Sequence, residues 1–214
     1  MTLSADIQKI PRTYMPVGLL LTNWESLEPY FKELVDRPIG SIQDLEQWLK
    51  DMSEVEAVIS EDACWRQIKM TCDTTDKSLE DAFTFFCMEI QPQMQPYADA
   101  LNRKLIHSPY TAQLDQAKYH TYLRSVQKSI ELFRTENIPI QAELSVLQQQ
   151  YGTIAGKMTI EVGGKEYTLQ QAAQFLENED RAFREEVYRK IQTRRLQDQA
   201  AMHDLFTSLV QKRH

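Results

Sequence analysis

From Ser41 onwards the apolar residues Leu45, Trp48, Leu49, Met52, Val55 and Ile59 recur at i, i+3, i+4 and i+7, and the pattern runs on through Ala63 and Ile68 to about Cys72. A stripe with that period is buried by a helix and by nothing else regular. Unbroken, such a helix is about 45 Å long at ~1.5 Å per residue. It needs a partner of similar length. Asp73-Thr74-Thr75-Asp76 is a polar break with several possible N-caps, and a second stripe follows in Leu79, Ala82, Phe83, Phe86, Cys87 and Ile90. Two long helices joined by so short a break fold into an antiparallel hairpin. Only 6 glycines and 8 prolines occur in 214 residues, so turns are few and long helices are favoured over a many-stranded sandwich or barrel.

The rest of the chain reads in the same way. Thr22 or Asn23 can cap a short helix through Trp24, Leu27, Phe31 and Leu34, a reading that Pro29 weakens in its middle. Arg37-Pro38-Ile39-Gly40-Ser41 is a turn, with Ser41 as N-cap and Asp44 three residues on. Pro92 and Pro96 predict a kink or break in the run towards Leu105. A further helix follows through Leu114, Tyr119, Leu123, Val126, Ile130 and Phe133. Asn137-Ile138-Pro139 is the next break, and Ile140, Leu144, Leu147 and Tyr151 mark the helix after it.

At about residue 157 the period changes from helical to alternating. Met158, Ile160 and Val162 alternate with Thr159 and Glu161, and Gly163-Gly164 precedes Lys165-Glu166-Tyr167-Thr168. This is the form of a β-hairpin over about residues 157–168 with a tight primed turn. Two strands alone are marginal in water, so the hairpin must lie against helices. Thr168 and Gln171 form a capping box for a short helix through Phe175. Asn178 can cap a last helix whose apolar positions run in phase from Phe183 to Leu209, with no closing cap before His214; this suggests a truncated chain. The expected fold class is therefore mainly α, with long antiparallel helical hairpins and one small β-hairpin. The expected division is a helical hairpin region at 1–110 and a second region at 111–214, which holds the β-hairpin and the start of a long helix.

A net charge of −7 and a pI near 5.2 repel phosphate backbones and anionic lipid, so no nucleic acid and no membrane partner is expected. The N-terminus has no uninterrupted apolar export segment, and Val17–Leu21 is far too short to span a bilayer. Cys64, Cys72 and Cys87 match no zinc ribbon and read as free thiols of a reducing cytoplasm. None of His107, His120, His203 and His214 has a His or Cys three or four residues away, and no His-Glu-x-x-His, Gly-x-Ser-x-Gly or phosphate-loop motif occurs. No catalytic or metal residue is assigned. The basic run Arg181, Arg184, Arg189, Lys190, Arg194 and Arg195 contains Glu185 and Glu186, placed to pair with Arg189 and Lys190 at i, i+4. Within it Arg181, Arg184 and Tyr188 share one stripe and are the candidate residues for holding a neighbouring domain or touching a peptide carboxylate.

The order of these features resembles a known family. The run Leu144–Tyr151, the hairpin around Gly163-Gly164, then Leu169–Leu176, and finally Asp180-Arg181-Ala182-Phe183-Arg184-Glu185-Glu186-Val187-Tyr188 are similar to the N-terminal region of oligoendopeptidase F, one of the thimet-oligopeptidase-like zinc metallopeptidases. Trp24-Glu25-Ser26-Leu27 resembles its opening segment. The resemblance implies a helical wall of a deep channel that admits short unstructured peptides. It also implies a catalytic domain elsewhere, with zinc held by His-Glu-x-x-His and a downstream glutamate. This chain then carries no cofactor of its own, with zinc in the full-length parent, and its partners are that C-terminal catalytic domain and peptide substrates. The rival expectation is a free-standing helical interaction module that buries a partner helix.

Overall fold

The computed structural model describes residues 11–74 and 76–214. The expectations placed on Met1–Ile10, and on Thr75 as a cap, lie outside the described residues. The chain is mainly α with one two-stranded antiparallel sheet, and it divides into two compact units. One holds the described residues up to Cys64 with Gln93–Thr135; the other holds Trp65–Pro92 with Glu136–His214.

In the first unit Asn23 Oδ1 accepts from Ser26 N–H at 3.1 Å and caps a 3-10 turn, Trp24–Ser26, which leads into α1, Glu28–Asp36. Pro29 sits in the first turn of α1 and does not interrupt it. A first-turn N–H has no helical acceptor, so proline there costs nothing. α2, Ile42–Cys72, is the long helix its stripe dictates. Ser41 Oγ accepts from Asp44 N–H at 3.1 Å, and Asp44 accepts back from Gly40 N–H at 3.1 Å. Trp48, wholly buried, donates its indole N–H to Leu34 O at 2.8 Å. Lys104 then closes the end of α1, donating to the carbonyls of Leu34, Val35 and Arg37 at 2.8, 2.7 and 2.5 Å. Lysine is suited to this because the last carbonyls of a helix lack partners and carry the negative end of its dipole. Leu27, Leu45, Val55 and Leu105 fill the core around these groups. Asp115 caps α5, Gln116–Leu132, through Ala117 N–H.

Of the kink or break expected at Pro92 and Pro96, the break does not occur, and helix stands on either side as expected. α3, Lys77–Phe85, passes through a π turn, Phe86–Ile90, directly into α4, Gln91–His107, which contains Pro96. In the π turn the ladder shifts register, and Gln91 N–H donates to Phe86 O, five residues back. The wider turn ends just ahead of Pro92, which falls in the first turn of α4, while Pro96 lies inside α4 and removes one helical donor without ending the helix.

The second unit is built around the hairpin. β1, Thr159–Val162, pairs with β2, Lys165–Thr168, with Val162 opposite Lys165 and Thr159 opposite Thr168. Gly163 and Gly164 take φ +60° and +78°, as a primed two-residue turn requires. The capping box at Thr168 and Gln171 opens α7, Leu169–Ala173. Ile160 and Val162 pack on Ala172, and on Val187 and Ile191 of α8, Arg181–Gln197. The hairpin's apolar face is thus covered by helices. α6, Asn137–Gly156, begins at the segment expected to be a break; Pro139 lies in its first turn, where it is tolerated. α6 runs alongside α9, Gln199–Arg213.

Candidate functional site

Two surfaces of the second unit concentrate its chemistry: the basic face of α8, and a groove bounded by α6, α8 and α9.

α8 starts at Asp180, not at Asn178. Asp180 Oδ1 accepts from Ala182 and Phe183 N–H at 2.8 and 3.4 Å, and Asn178 Oδ1 accepts from Asp180 N–H at 2.9 Å. The two side chains wind the entry turn between them, and Arg184 ties it down by donating to Asn178 O and Glu179 O at 2.5 and 3.0 Å. Arg181, Arg184 and Tyr188 lie on one stripe of α8. Arg184 is committed to its own entry turn, whereas Arg181 is exposed and the Tyr188 ring is 54% exposed.

The remaining cations are largely spoken for. Arg189 pairs with Glu185 at 2.7 Å, Lys190 with Glu186 at 2.7 Å, and Arg194 with Asp198. Lys190 and Arg194 also reach carbonyls along the hairpin, Glu161 O at 3.1 Å and Lys157 O at 3.3 Å. Among the described residues Arg181 and Arg195 make no hydrogen bond or ion pair.

The expected single last helix is divided at Asp198 into α8 and α9. The side chain of Asp198 caps nothing at the start of α9 and is held by Arg194. Beside this corner lies a groove of about 1390 Å³. Gly152 and Ala155 line it on α6, Gly156 is covered by Thr74 of the segment after α2, Met158 and Leu205 line the groove from within, and Tyr151, Leu196 and Phe206 stand at it 59%, 67% and 65% exposed. Arg195 and His203 also line it.

No group of three His, Cys, Asp or Glu side chains fit to hold a metal occurs among the described residues, and His107, His120, His203 and His214 are all exposed. The three cysteines are free; Cys64 and Cys72 are exposed, and burial pushes the Cys87 thiol upward. Among the described residues no helix is long and apolar enough to cross a membrane.

Sequence reasoning missed Tyr151, Leu196 and Phe206 as a set. They come from three helices, and the corner at Asp198 that gathers them has no glycine, proline or capping serine to announce it.

The family model for the peptidase M3 N-terminal domain matches residues 20–133, more than half of the chain. The chain belongs to the M3 peptidase N-terminal domain family. Among solved structures, this M3 N-terminal chain is similar to an oligoendopeptidase F from Bacillus anthracis str. Ames, with 21% identity and a TM-score of 0.81 over 89% of this chain and 35% of that one. A second oligoendopeptidase F gives 23% and 0.81 over 89% and 34%. PZ peptidase A, solved with an inhibitor, gives 19% and 0.82 over 94% and 36%. At these identities the likeness is one of fold. The chain spans about a third of the length of the solved relatives it matches. No curated protein matches its sequence.

Proposed function

We propose that this chain is the non-catalytic helical part of a zinc oligoendopeptidase, forming one wall of a channel that admits short unstructured peptides and excludes folded proteins by size. The observation that carries the reading is double: the family match over residues 20–133, and a fold shared over 89% of this chain with proteins of which it covers only 35%. Among the described residues no donor set fits a catalytic zinc, which takes three protein ligands converging on one point. The metal and the water it activates therefore belong to polypeptide other than these residues. Free cysteines support a cytoplasmic setting. On α8, Arg181 and Tyr188 are the groups exposed for contact with a neighbouring domain or a peptide, and Arg184 positions them by locking the entry turn.

The alternative, a free-standing interaction module, is favoured by one observation, the exposed apolar groove. Zinc content and cleavage of a quenched-fluorescent peptide discriminate between the two. The 25.0 kDa chain alone should hold less than about 0.1 zinc and show no turnover. Adding the His-Glu-x-x-His-bearing polypeptide from the same source should produce cleavage that a chelator abolishes. Equal cleavage by that polypeptide with and without this chain would sink the channel-wall reading.

A further inference from the structure

We infer that the groove bounded by α6, α8 and α9 is the seat of the metal-bearing part of the peptidase, which docks there through an apolar ridge carrying a carboxylate opposite Arg195. The inference rests on the function proposed above and names the partner surface.

The solved relatives match nearly all of this chain, yet the matched part is only about a third of their own length, so each holds roughly twice as much polypeptide beside this fold. That polypeptide must rest on some surface. In the second unit, Tyr151, Leu196 and Phe206 offer their apolar faces together at one groove of about 1390 Å³. At Gly152 nothing stands within 4 Å of where a side chain would begin, so that part of the α6 wall is open to a close approach, whereas Gly156 is already covered by Thr74 at 3.1 Å. The face of α8 along the hairpin is unsuited to the same purpose, because its cations are already paired with Glu185, Glu186 and Asp198.

Charge narrows the occupant further. Of the charged side chains lining the groove, Asp73 is already partnered, whereas Arg195 makes no pair. An unpaired guanidinium at the edge of an apolar groove calls for a planar carboxylate. A ridge of aliphatic or aromatic side chains with one Asp or Glu satisfies both demands; a wholly apolar ridge would strand Arg195.

The test measures binding of this chain to the immobilised His-Glu-x-x-His-bearing part of the peptidase from the same source, together with peptide cleavage by the pair. The variants are Leu196→Glu, Phe206→Glu and Arg195→Glu, with Leu132→Glu as control. Leu132 is 74% exposed and belongs to the other unit. All four positions are exposed, and far-UV circular dichroism melts confirm folding. The expected result is binding by the wild type and by Leu132→Glu, and at least about tenfold weaker binding by each groove variant, since each buries an unpaired or repelled carboxylate. If the pair forms and cleaves but the groove variants bind as the wild type does, the seat lies elsewhere and the proposed function stands. A wild type that neither binds nor supports cleavage overturns both. A dimer of this chain in gel filtration that the groove substitutions dissolve makes a second copy the occupant and overturns the docking inference alone.

Discussion

A single carboxylate, Glu54, fastens the start of the described chain to α2. Its oxygens accept the backbone N–H groups of Thr13, Tyr14 and Met15 at 2.9, 2.8 and 3.0 Å, and the Thr13 hydroxyl at 2.9 Å. Burial pulls its pKa upward, but the backbone donors of Met15, Thr13 and Tyr14 outweigh that and hold it at about 2. The sign follows directly. The folded pKa lies below the ~4.3 of an unfolded glutamate, so the stabilisation is complete above that value and is lost as pH falls through about 2. Glu54→Gln should expose the amides of Thr13–Met15 to fast hydrogen exchange at pH 7, with the wild type approaching the variant only near pH 2; unchanged protection in the variant would refute the strap. Lys104 works at the C-terminal end of α1. Lys104→Met keeps the stem but removes the donors of three carbonyls, of which only Leu34 O retains another, from Trp48. A loss of about 2 kcal/mol in denaturant unfolding is expected, and a loss under about 0.5 kcal/mol would mean that water replaces the ammonium freely.

At the scale of elements, the hairpin turn and its following cap stand or fall on backbone geometry. Gly163 and Gly164 both lie at positive φ, a region that asparagine tolerates and β-branched residues do not. Gly164→Val should therefore cost about 2 kcal/mol, and Gly163→Asn less than about 0.5 kcal/mol, because Asn-Gly suits a primed turn. Thr168→Ala removes the acceptor for Gln171 N–H and should cost about 1 kcal/mol. Thermal melts should rank the losses Gly164→Val first, Thr168→Ala second and Gly163→Asn last. The same features explain what could be read from residues alone. The Gly163-Gly164 turn, the Thr168–Gln171 box and the Ser41–Asp44 cap are complete within a few residues, so their geometry is fixed locally. What a proline does depends on its register in the helix. Pro29 and Pro139 fall in first turns, where a donor is not needed, and Pro92 and Pro96 follow a π turn that no local pattern announces. The stripe of Arg181, Arg184 and Tyr188 was legible as a helical face, but the clamp that Arg184 makes on Asn178 O and Glu179 O was not, since it depends on how the preceding turn folds back. The groove was beyond reach for the same reason. Tyr151, Leu196 and Phe206 meet only because α6 lies along α9 and the chain bends at Asp198.

Across the whole molecule the charge decides which partners are repelled. The chain carries −7, and the one concentrated basic face, on α8, is compensated where it stands: Arg189 by Glu185, Lys190 by Glu186 and Arg194 by Asp198. A protein that neutralises several phosphates binds a polyanion with a steep salt dependence, its affinity falling nearly linearly in log–log form with a slope close to the number of contacts. With three of its cations internally paired, α8 has only Arg181 and Arg195 left to contribute among its described side chains without a partner. Two contacts against a net negative field do not hold a phosphate backbone at physiological ionic strength. The chain should accordingly pass through a heparin column at about 150 mM salt. Glu185→Gln together with Glu186→Gln should delay it detectably at about 50 mM, because Arg189 is then freed outright and Lys190 retains only Glu161 O. Retention of the wild type beyond about 300 mM would show that the pairs open towards an anion, and that the face is a binding surface in spite of them.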